Sequence, residues 1–211
     1  MLRGLEAQRA RLRERIAAGE RRAGWKIALN DPRVQQALGI SAPVIGHLTS
    51  ATVLPAGGSH SLAGATRPAI EPEVAVHIGE DGEVAGLGAA LEVIDVDMPF
   101  EDLVAVMAGN VFHRAAVLGP VAAGATELAG RTARMTREAG ETVIDVAEAA
   151  LAPREVVGLV SGYLEAVGER LHAGDVIIAG SLVPAAPLAG SERVELEING
   201  LGSVALDVRS A

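Results

Sequence analysis

Residues 69–84, AIEPEVAVHIGEDGEV, place two carboxylates two positions apart inside an apolar run. Successive side chains of a β-strand point to opposite faces, so Glu71 and Glu73 share one face, whereas Val74, Val76 and Ile78 lie on the other. The turn sequence GEDG at 79–82 precedes a second extended segment at 83–96, which predicts an antiparallel hairpin. We expect this hairpin to be part of a β-rich domain.

The second segment of the hairpin carries a third carboxylate. Glu92 lies in the run GAALEVID with apolar residues on both sides, and a buried carboxylate must be paired or must bind a metal. The α-carbons of Glu71 and Glu73 should lie roughly 6.5 to 7 Å apart, which is close enough for both side chains to reach one divalent ion. The alternative is that this pair lies on a solvated strand face, as we expect for Glu195 and Glu197.

Lys26 is the only lysine among the 18 lysine and arginine residues of the chain. It lies in the sequence GWKIAL, directly after Trp25, which is the only tryptophan of the chain. An ammonium group is compact and its pKa can be shifted into a useful range, whereas a guanidinium stays charged. A catalytic role is one interpretation of Lys26. Chance in an arginine-biased composition is the other.

The composition excludes several classes of protein. With 211 residues the chain can bury a sizeable core, and we expect a single domain over residues 1–211. Cysteine is absent, which excludes disulfides and thiol catalysis, so any metal must bind oxygen or imidazole. A net charge of −9 argues against a nucleic-acid partner. The N-terminus is charged and no apolar run is long enough to cross a bilayer, so we expect a cytoplasmic protein without a membrane partner.

Local patterns predict the remaining elements. An amphipathic helix is expected within residues 1–22, and Asp31 as N-cap, Pro32 in the first turn and Gly39 at the end predict a second, short helix. Together the elements describe an α+β domain with helices outside the sheets. Further helices are predicted at 99–109 and 152–175, and strands at 24–29, 115–120, 130–137 and 141–147. Residues 176–183 are predicted as a buried strand that runs into a small-residue turn, residues 41–64 as a loop with short extended pieces, and residues 192–208 as a terminal hairpin closed by a type I′ Asn-Gly turn.

Several short motifs occur in an order that resembles a known family. They are GWKIAL with VQQALGI, then IEPEVAV, AALEVID, GDVIIAGSLV and GLGSVALDV, and they span residues 23–208. This order is similar to the 2-keto-4-pentenoate hydratase and 4-oxalocrotonate decarboxylase branch of the fumarylacetoacetate hydrolase superfamily. The resemblance implies a mixed β-roll and a Mg²⁺ or Mn²⁺ ion held by Glu71, Glu73 and Glu92. Residues 1–22 would then form a shorter N-terminal segment than family members have.

The same resemblance implies roles for residues around the metal. Lys26 and Ser181 would be catalytic, and Leu182, in the turn after Gly180, would help to bind a small 2-oxo acid. Further substrate-binding candidates are Asn110, which the family motif retains, His47 in a loop near the pocket, and Arg114 as a carboxylate anchor. In GNVFHR the chain departs from the Asp-Asn-Ala-Ser that is usual in the family. His113 and Arg114 are therefore either new site residues or surface and interface residues.

The function that the resemblance implies is a metal-dependent lyase of the hydratase type, acting on a 2-oxo-enoate such as 2-hydroxypenta-2,4-dienoate. Alternatives are a decarboxylase or a carbon–carbon hydrolase of a related 2-oxo acid, or a non-catalytic binding protein on the same scaffold. The resemblance also suggests a homo-oligomer. The apolar residues of the helix predicted at 152–175 could pack within the same chain or against a partner subunit.

Overall fold

The structure is a computed structural model that describes residues 2–210. Its two longest strands form the predicted hairpin, which lies at the centre of the larger sheet. The helices are α1 (Leu2–Ala17), α2 (Pro32–Leu38), α3 (Leu103–Ala108), α4 (Val146–Ala149) and α5 (Pro153–Glu165). The strands are β1 (Arg22–Ala28), β2 (Val44–Thr49), β3 (Val53–Leu54), β4 (Ser59–Ser61), β5 (Pro68–Ile78), β6 (Val84–Asp95), β7 (His113–Leu118), β8 (Ala122–Ala123), β9 (Thr132–Arg137), β10 (Gly140–Asp145), β11 (Val176–Ile178), β12 (Ala186–Pro187), β13 (Glu192–Ile198) and β14 (Gly202–Arg209).

The strands form two mixed sheets. The larger sheet has the order β2-β1-β11-β5-β6-β7-β3, with β12 beside β5 and β8 beside β6. The smaller sheet has the order β10-β9-β13-β14-β4. Most neighbours are antiparallel, and the pairs β1/β11, β3/β7 and β14/β4 are parallel. This architecture confirms the predicted α+β class with a mixed β-roll.

The main core lies on the valine face of the central hairpin. Val74 and Val76 of β5 pack in one cluster with Leu196 and Ile198 of β13, so this apolar face is buried between the two sheets. The other face of β5 carries Glu71 and Glu73, as the alternation predicts. The carboxylates therefore lie on the face of the larger sheet that does not build the main core.

Helix α2 begins and ends where its sequence signals predict. The Asp31 side chain accepts a hydrogen bond of 2.8 Å from the Arg33 backbone N–H, Pro32 is the first helical residue, and Gly39 ends the helix with a φ of 65°. A side-chain acceptor at the N-cap and a glycine in the left-handed conformation each satisfy backbone groups that the helix leaves free. These signals are local, which explains why they predict the helix correctly.

Several predicted boundaries were wrong. The segment predicted as a loop with short extended pieces at 41–64 does contain short strands, β2, β3 and β4, but its sequence did not indicate that β2 is buried along its whole length. A strand buried on both faces lacks the period-two pattern that identifies a half-buried strand. Helix α1 ends at Ala17, α3 begins only at Leu103 and α5 ends at Glu165, because the predicted spans included adjoining turns.

The turn of the terminal hairpin also differs from the prediction. The Leu201 N–H donates to the Ile198 carbonyl at 2.9 Å, and Ile198 pairs with Gly202 across the ladder. Gly200 has a φ of 71°, whereas Asn199 does not have a positive φ. A type I′ turn needs positive φ at both central residues, so this turn has the type II pattern.

Helix α5 packs its apolar residues against the chain's own core. Val156, Val160 and Leu164 are fully buried in the main cluster, so they are not free to bind a partner subunit. The expected homo-oligomer stays a prediction. Within residues 2–210, no helix has both the length and the hydropathy needed to span a membrane.

Candidate metal and substrate site

Three glutamates converge on one face of the central hairpin. Glu71 lies directly opposite Glu92 in the β5–β6 ladder, and Glu73 lies two residues further along β5 on the same face. One carboxylate oxygen from each of the three lies within 4.8 Å of the others. Glu73 and Glu92 are buried, whereas Glu71 is partly exposed. The hairpin register, which depends on the turn at 79–82, therefore creates the cluster.

The cluster fits a hard divalent cation. The buried atoms Glu73 Oε1 and Glu92 Oε2 have no hydrogen-bond partner in the described part of the chain, although buried oxygens are normally satisfied. Three carboxylates and one lysine give the site a formal charge of −2, which a divalent cation would balance. Carboxylate oxygens are the ligands that Mg²⁺ and Mn²⁺ prefer.

The electrostatics differ among the three carboxylates. Burial, with the neighbouring Glu92 charge, raises the pKa of Glu71 to about 7. Burial and the same neighbour also raise the pKa of Glu73. Burial alone would raise the pKa of Glu92 too, but Lys26 and His113 outweigh it and hold that pKa at about 2. Without a cation, the surroundings thus favour ionisation of Glu92 and disfavour ionisation of Glu71 and Glu73.

Lys26 reaches the cluster from β1. Its Nζ forms a short ion pair with Glu92 Oε1 and a second hydrogen bond of 3.3 Å to the Val111 carbonyl. The strands β1 and β6 are three positions apart in the sheet order, about 14 Å in a flat sheet. The contact between the two side chains therefore shows that the sheet curls and that the site lies on its concave face.

The path of the Lys26 side chain requires a glycine on β2. A Cβ atom on Gly46 would lie 2.6 Å from Lys26 Cγ and 2.8 Å from Asn110 Oδ1. Real Cβ atoms do not approach other atoms so closely, so only glycine leaves room for the lysine to extend toward the carboxylates. Gly46 is thus part of the site although it carries no functional group.

His113 also contacts Glu92. Its Nδ1 lies 2.6 Å from Glu92 Oε1, and both side chains are about 1% exposed. The second ring nitrogen, Nε2, is buried without a partner in residues 2–210. The sequence left His113 between a site residue and a surface residue, and the structure places it at the site.

Asn110 connects β2 to the turn before β7. Its Oδ1 accepts from the His47 N–H and its Nδ2 donates to the His47 carbonyl, each at 2.9 Å. Asn110, Val111 and Phe112 all have positive φ values, from 50° to 64°, which is a costly conformation for such residues. Since both amide atoms bind backbone, Asn110 fixes this strained turn. Each amide atom can form one further hydrogen bond, and the expected contact of Asn110 with substrate stays a prediction.

His47 does not face the metal cluster. It pairs with Trp25 across the β1–β2 ladder, and Trp25 and Lys26 point to opposite faces of β1. The His47 ring instead lines a small cavity with Trp25, Tyr163 and Gln8. The His47 ring therefore lies on the opposite face of the sheet from the Lys26 side chain, and its expected substrate-binding role stays a prediction.

Arg114 is occupied elsewhere as well. Its Nη2 forms an ion pair of 2.6 Å with Asp97 and lies 3.7 Å from Asp95, and its Nη1 donates to the His113 carbonyl at 3.1 Å. These contacts hold the turn that leads into β7. The structure does not place the guanidinium as the expected carboxylate anchor.

The turn after β11 lies beside the cluster, but most of its donors are already used. The Gly180 N–H donates to Glu73 Oε2 at 2.7 Å, and the Leu182 N–H donates to the Pro72 carbonyl at 2.8 Å. The Ser181 hydroxyl donates to the Val183 carbonyl at 2.6 Å. The turn therefore orients Glu73, and the catalytic role of Ser181 and the substrate contact of Leu182 stay predictions.

Asn30 is a neighbour of the site that the sequence did not indicate. A Cβ on Gly180 would lie 2.9 Å from the Asn30 side-chain amide, so this amide packs against the turn that binds Glu73. Asn30 follows Leu29, which has a φ of 55° and whose carbonyl accepts from Gln35 Nε2 at 2.8 Å. No local pattern at Asn30 could have predicted this contact, because Gly180 is far away in the sequence.

The sequence profile described as fumarylacetoacetate (FAA) hydrolase C-terminal matches residues 30–209. The chain belongs to this family. It is 28% identical over 206 residues to the TodF product hydratase of Pseudomonas putida, which covers 90% of this chain and 77% of that protein. It is 30% identical over 215 residues to a 4-oxalocrotonate decarboxylase of a Pseudomonas species, with 94% and 83% covered.

The fold of this fumarylacetoacetate hydrolase family member has a solved counterpart. The structure of 4-oxalocrotonate decarboxylase from Pseudomonas putida G7, complexed with magnesium and adipate, superposes with a TM-score of 0.85 at 22% identity. The superposition covers 99% of this chain and 85% of the other. The predicted mixed β-roll is confirmed by this likeness.

Proposed function

We propose that the protein is a divalent-metal-dependent lyase of the hydratase type that acts on a small 2-oxo-enoate such as 2-hydroxypenta-2,4-dienoate. The observation that carries the proposal is the set of three converging carboxylates, two of them with unpartnered buried oxygens, beside a buried lysine. The relatives support the reaction class, because their names include hydratases and decarboxylases.

Glu71, Glu73 and Glu92 would hold Mg²⁺ or Mn²⁺. A bound divalent cation supplies Lewis-acid chemistry that stabilises negative charge on the 2-oxygen of the substrate. Glu73 is oriented for this task by the Gly180 N–H, and Glu92 by Lys26 and His113. Glu73 and Glu92 are therefore oriented before any ligand binds, which reduces the cost of assembling the site.

Lys26 is the protein group best placed to meet the substrate. An ammonium group has three N–H donors, and two of them bind Glu92 and the Val111 carbonyl. The third can donate to a substrate carboxylate or transfer a proton. Because Glu71 is the partly exposed member of the carboxylate cluster, substrate would enter from its side.

Decarboxylation is the second candidate reaction. The relative with 30% identity is named 4-oxalocrotonate decarboxylase, and loss of carbon dioxide from such a substrate needs the same stabilised negative charge on the 2-oxygen. The two reactions differ in what is added to or lost from the carbon chain, and the metal centre would serve both. The substrate therefore has to be decided by assay.

The test is a spectrophotometric assay with 2-hydroxypenta-2,4-dienoate and with 4-oxalocrotonate, each with Mg²⁺, with Mn²⁺ and with a chelator. Wild type is compared with Glu71→Ala, and with Glu195→Ala as a control on an exposed strand face. We expect metal-dependent loss of dienoate absorbance in wild type and in the control, and none in Glu71→Ala. Turnover of 4-oxalocrotonate alone would favour the decarboxylase, and activity in the presence of chelator would refute the metal mechanism.

A further inference from the structure

His113 faces Glu92 because of a β-bulge. Along the β6–β7 ladder, Glu92 pairs with Ala116 and Val93 with Ala115, but Ile94 pairs with His113. Strand β7 thus has one extra residue, Arg114, at this point. In a regular strand His113 would share the face of Ala115, away from Glu92, and the bulge turns its ring to the face of the carboxylates.

The bulge is fixed by contacts on both sides. The Arg114 guanidinium binds Asp97 and its own neighbouring carbonyl groups. The preceding residues are held by the two hydrogen bonds between Asn110 and the His47 backbone. The position of the His113 ring is therefore set by the backbone rather than by the ring's own packing.

The two oxygens of Glu92 have different environments. Oε1 accepts from both Lys26 and His113, whereas Oε2 is buried without a partner in the described chain. An ionised carboxylate only accepts hydrogen bonds, so the Nδ1 atom of His113 carries a proton. Two donors on one oxygen fix the rotation of the carboxylate and leave the other oxygen as its free ligand atom.

We propose that His113 is a positioning residue of the metal centre, whose Nδ1–H would hold Glu92 Oε1 so that Oε2 stays available to a cation. The inference rests on the proposed metal centre at Glu71, Glu73 and Glu92. Outer hydrogen-bond partners of this kind typically change metal affinity by about 10- to 100-fold when they are removed. Lys26 does not replace His113, because its Nζ is also bound to the Val111 carbonyl and approaches from β1.

The test compares two substitutions that differ in one hydrogen-bond donor. His113→Leu fills the buried volume without a donor, and His113→Asn keeps an N–H near the position of Nδ1. Mn²⁺ binding to chelator-treated, dialysed protein is measured by calorimetry and by the loss of the free Mn²⁺ spectrum in electron paramagnetic resonance. We expect His113→Leu to bind Mn²⁺ about 10- to 100-fold more weakly and His113→Asn to stay within about threefold of wild type.

The control is His77→Leu. Like His113, His77 has a buried Nε2 without a hydrogen-bond partner among residues 2–210. It lies on β5, four residues from Glu73 and outside the carboxylate cluster. Its substitution should leave Mn²⁺ affinity unchanged. Wild-type affinity in His113→Leu, or an equal loss in His113→Asn and His113→Leu, would overturn the proposal, because the donor would then not matter.

A measurement on wild type keeps the proposal testable if a variant does not fold. In ¹⁵N-histidine spectra of the Mg²⁺-loaded protein, the proposal requires His113 to carry its proton on Nδ1, and a ring protonated on Nε2 alone would overturn it. Glu71→Gln separates the two hypotheses. If wild type binds no Mn²⁺, or Glu71→Gln binds as well as wild type, the metal centre itself is refuted; if only the His113 results fail, the metal centre stands.

Discussion

Substitution of Lys26 by methionine tests the central ion pair of the site. Methionine has a similar length and no charge, so it fills the space beside Gly46 that the lysine side chain occupies. Among the described residues, His113 then remains as the side-chain donor to Glu92. The side chains of Lys26 and Glu92 are each about 1% exposed. Their interaction is therefore hardly screened by solvent, and its loss should be measurable in the stability of the metal-free protein.

The size of the effect follows from the Glu92 pKa. Burial would raise it, but Lys26 and then His113 lower it from 4.5 to about 2. A shift of this size corresponds to about 3 kcal/mol of stability at pH 7, since each unit is about 1.4 kcal/mol. Removing one partner of a buried ion pair typically costs about 3 to 5 kcal/mol. We expect Lys26→Met to lower the free energy of unfolding by about 2 to 4 kcal/mol and Tm by on the order of 10 °C.

The pH dependence has a definite sign. A carboxylate whose folded pKa is lowered stabilises the protein above its unfolded pKa of 4.5, and this contribution is lost as pH falls toward the folded value of about 2. The difference between wild type and Lys26→Met should therefore be largest at pH 7 and should shrink below pH 4.5. Chelator-treated protein is unfolded with urea at several pH values to measure it.

Activity and metal binding should respond differently to Lys26→Met. Turnover should fall at least about 100-fold, because the group that we propose to donate to substrate is lost. Affinity for Mg²⁺ should not fall, because the substitution removes a positive charge that repels the cation. A stability change below about 1 kcal/mol, or full turnover, would refute the assigned role of Lys26.

Three further predictions concern separate parts of the site. Glu71→Gln should abolish Mn²⁺ binding in calorimetry. The same substitution should stabilise the metal-free protein at pH 8, because the Glu71 pKa is raised to about 7 and ionisation of the folded carboxyl group costs stability as pH rises above 4.5. Burial lowers the His47 pKa to about 4, so between pH 6.5 and pH 4 only the unfolded chain gains a proton at this residue, and wild type loses stability as pH falls. In His47→Gln this loss, measured by urea unfolding, should be smaller by up to about 3 kcal/mol. Gly46→Ala should lower turnover at least about 10-fold in the dienoate assay, since the added Cβ would displace the side chains of Lys26 and Asn110. Unchanged kinetics would show that Lys26 does not need a glycine at this position.

Some features were predictable because they depend on neighbouring residues in the sequence. Alternation within β5 places Glu71 and Glu73 on one face, and the turn at 79–82 brings Glu92 back beside them. The cap, first-turn proline and terminal glycine of α2 are equally local signals. The metal candidates and the short helix could therefore be predicted without coordinates.

Other features arise only when distant segments meet. The sheet curls so that Lys26 on β1 reaches Glu92 on β6, although two strands lie between them. Strand β2 pairs with β1 and is buried along its whole length, so its sequence lacks the alternation of a half-buried strand. The bulge at Arg114 changes the face on which His113 lies, and no periodicity in the sequence marks an extra residue in a ladder. The sequence by itself determined which carboxylates can share a cation, because a strand's alternation and a tight turn are short-range. Only the tertiary structure decided which groups orient those carboxylates, because curvature and register depend on packing between segments far apart in the chain.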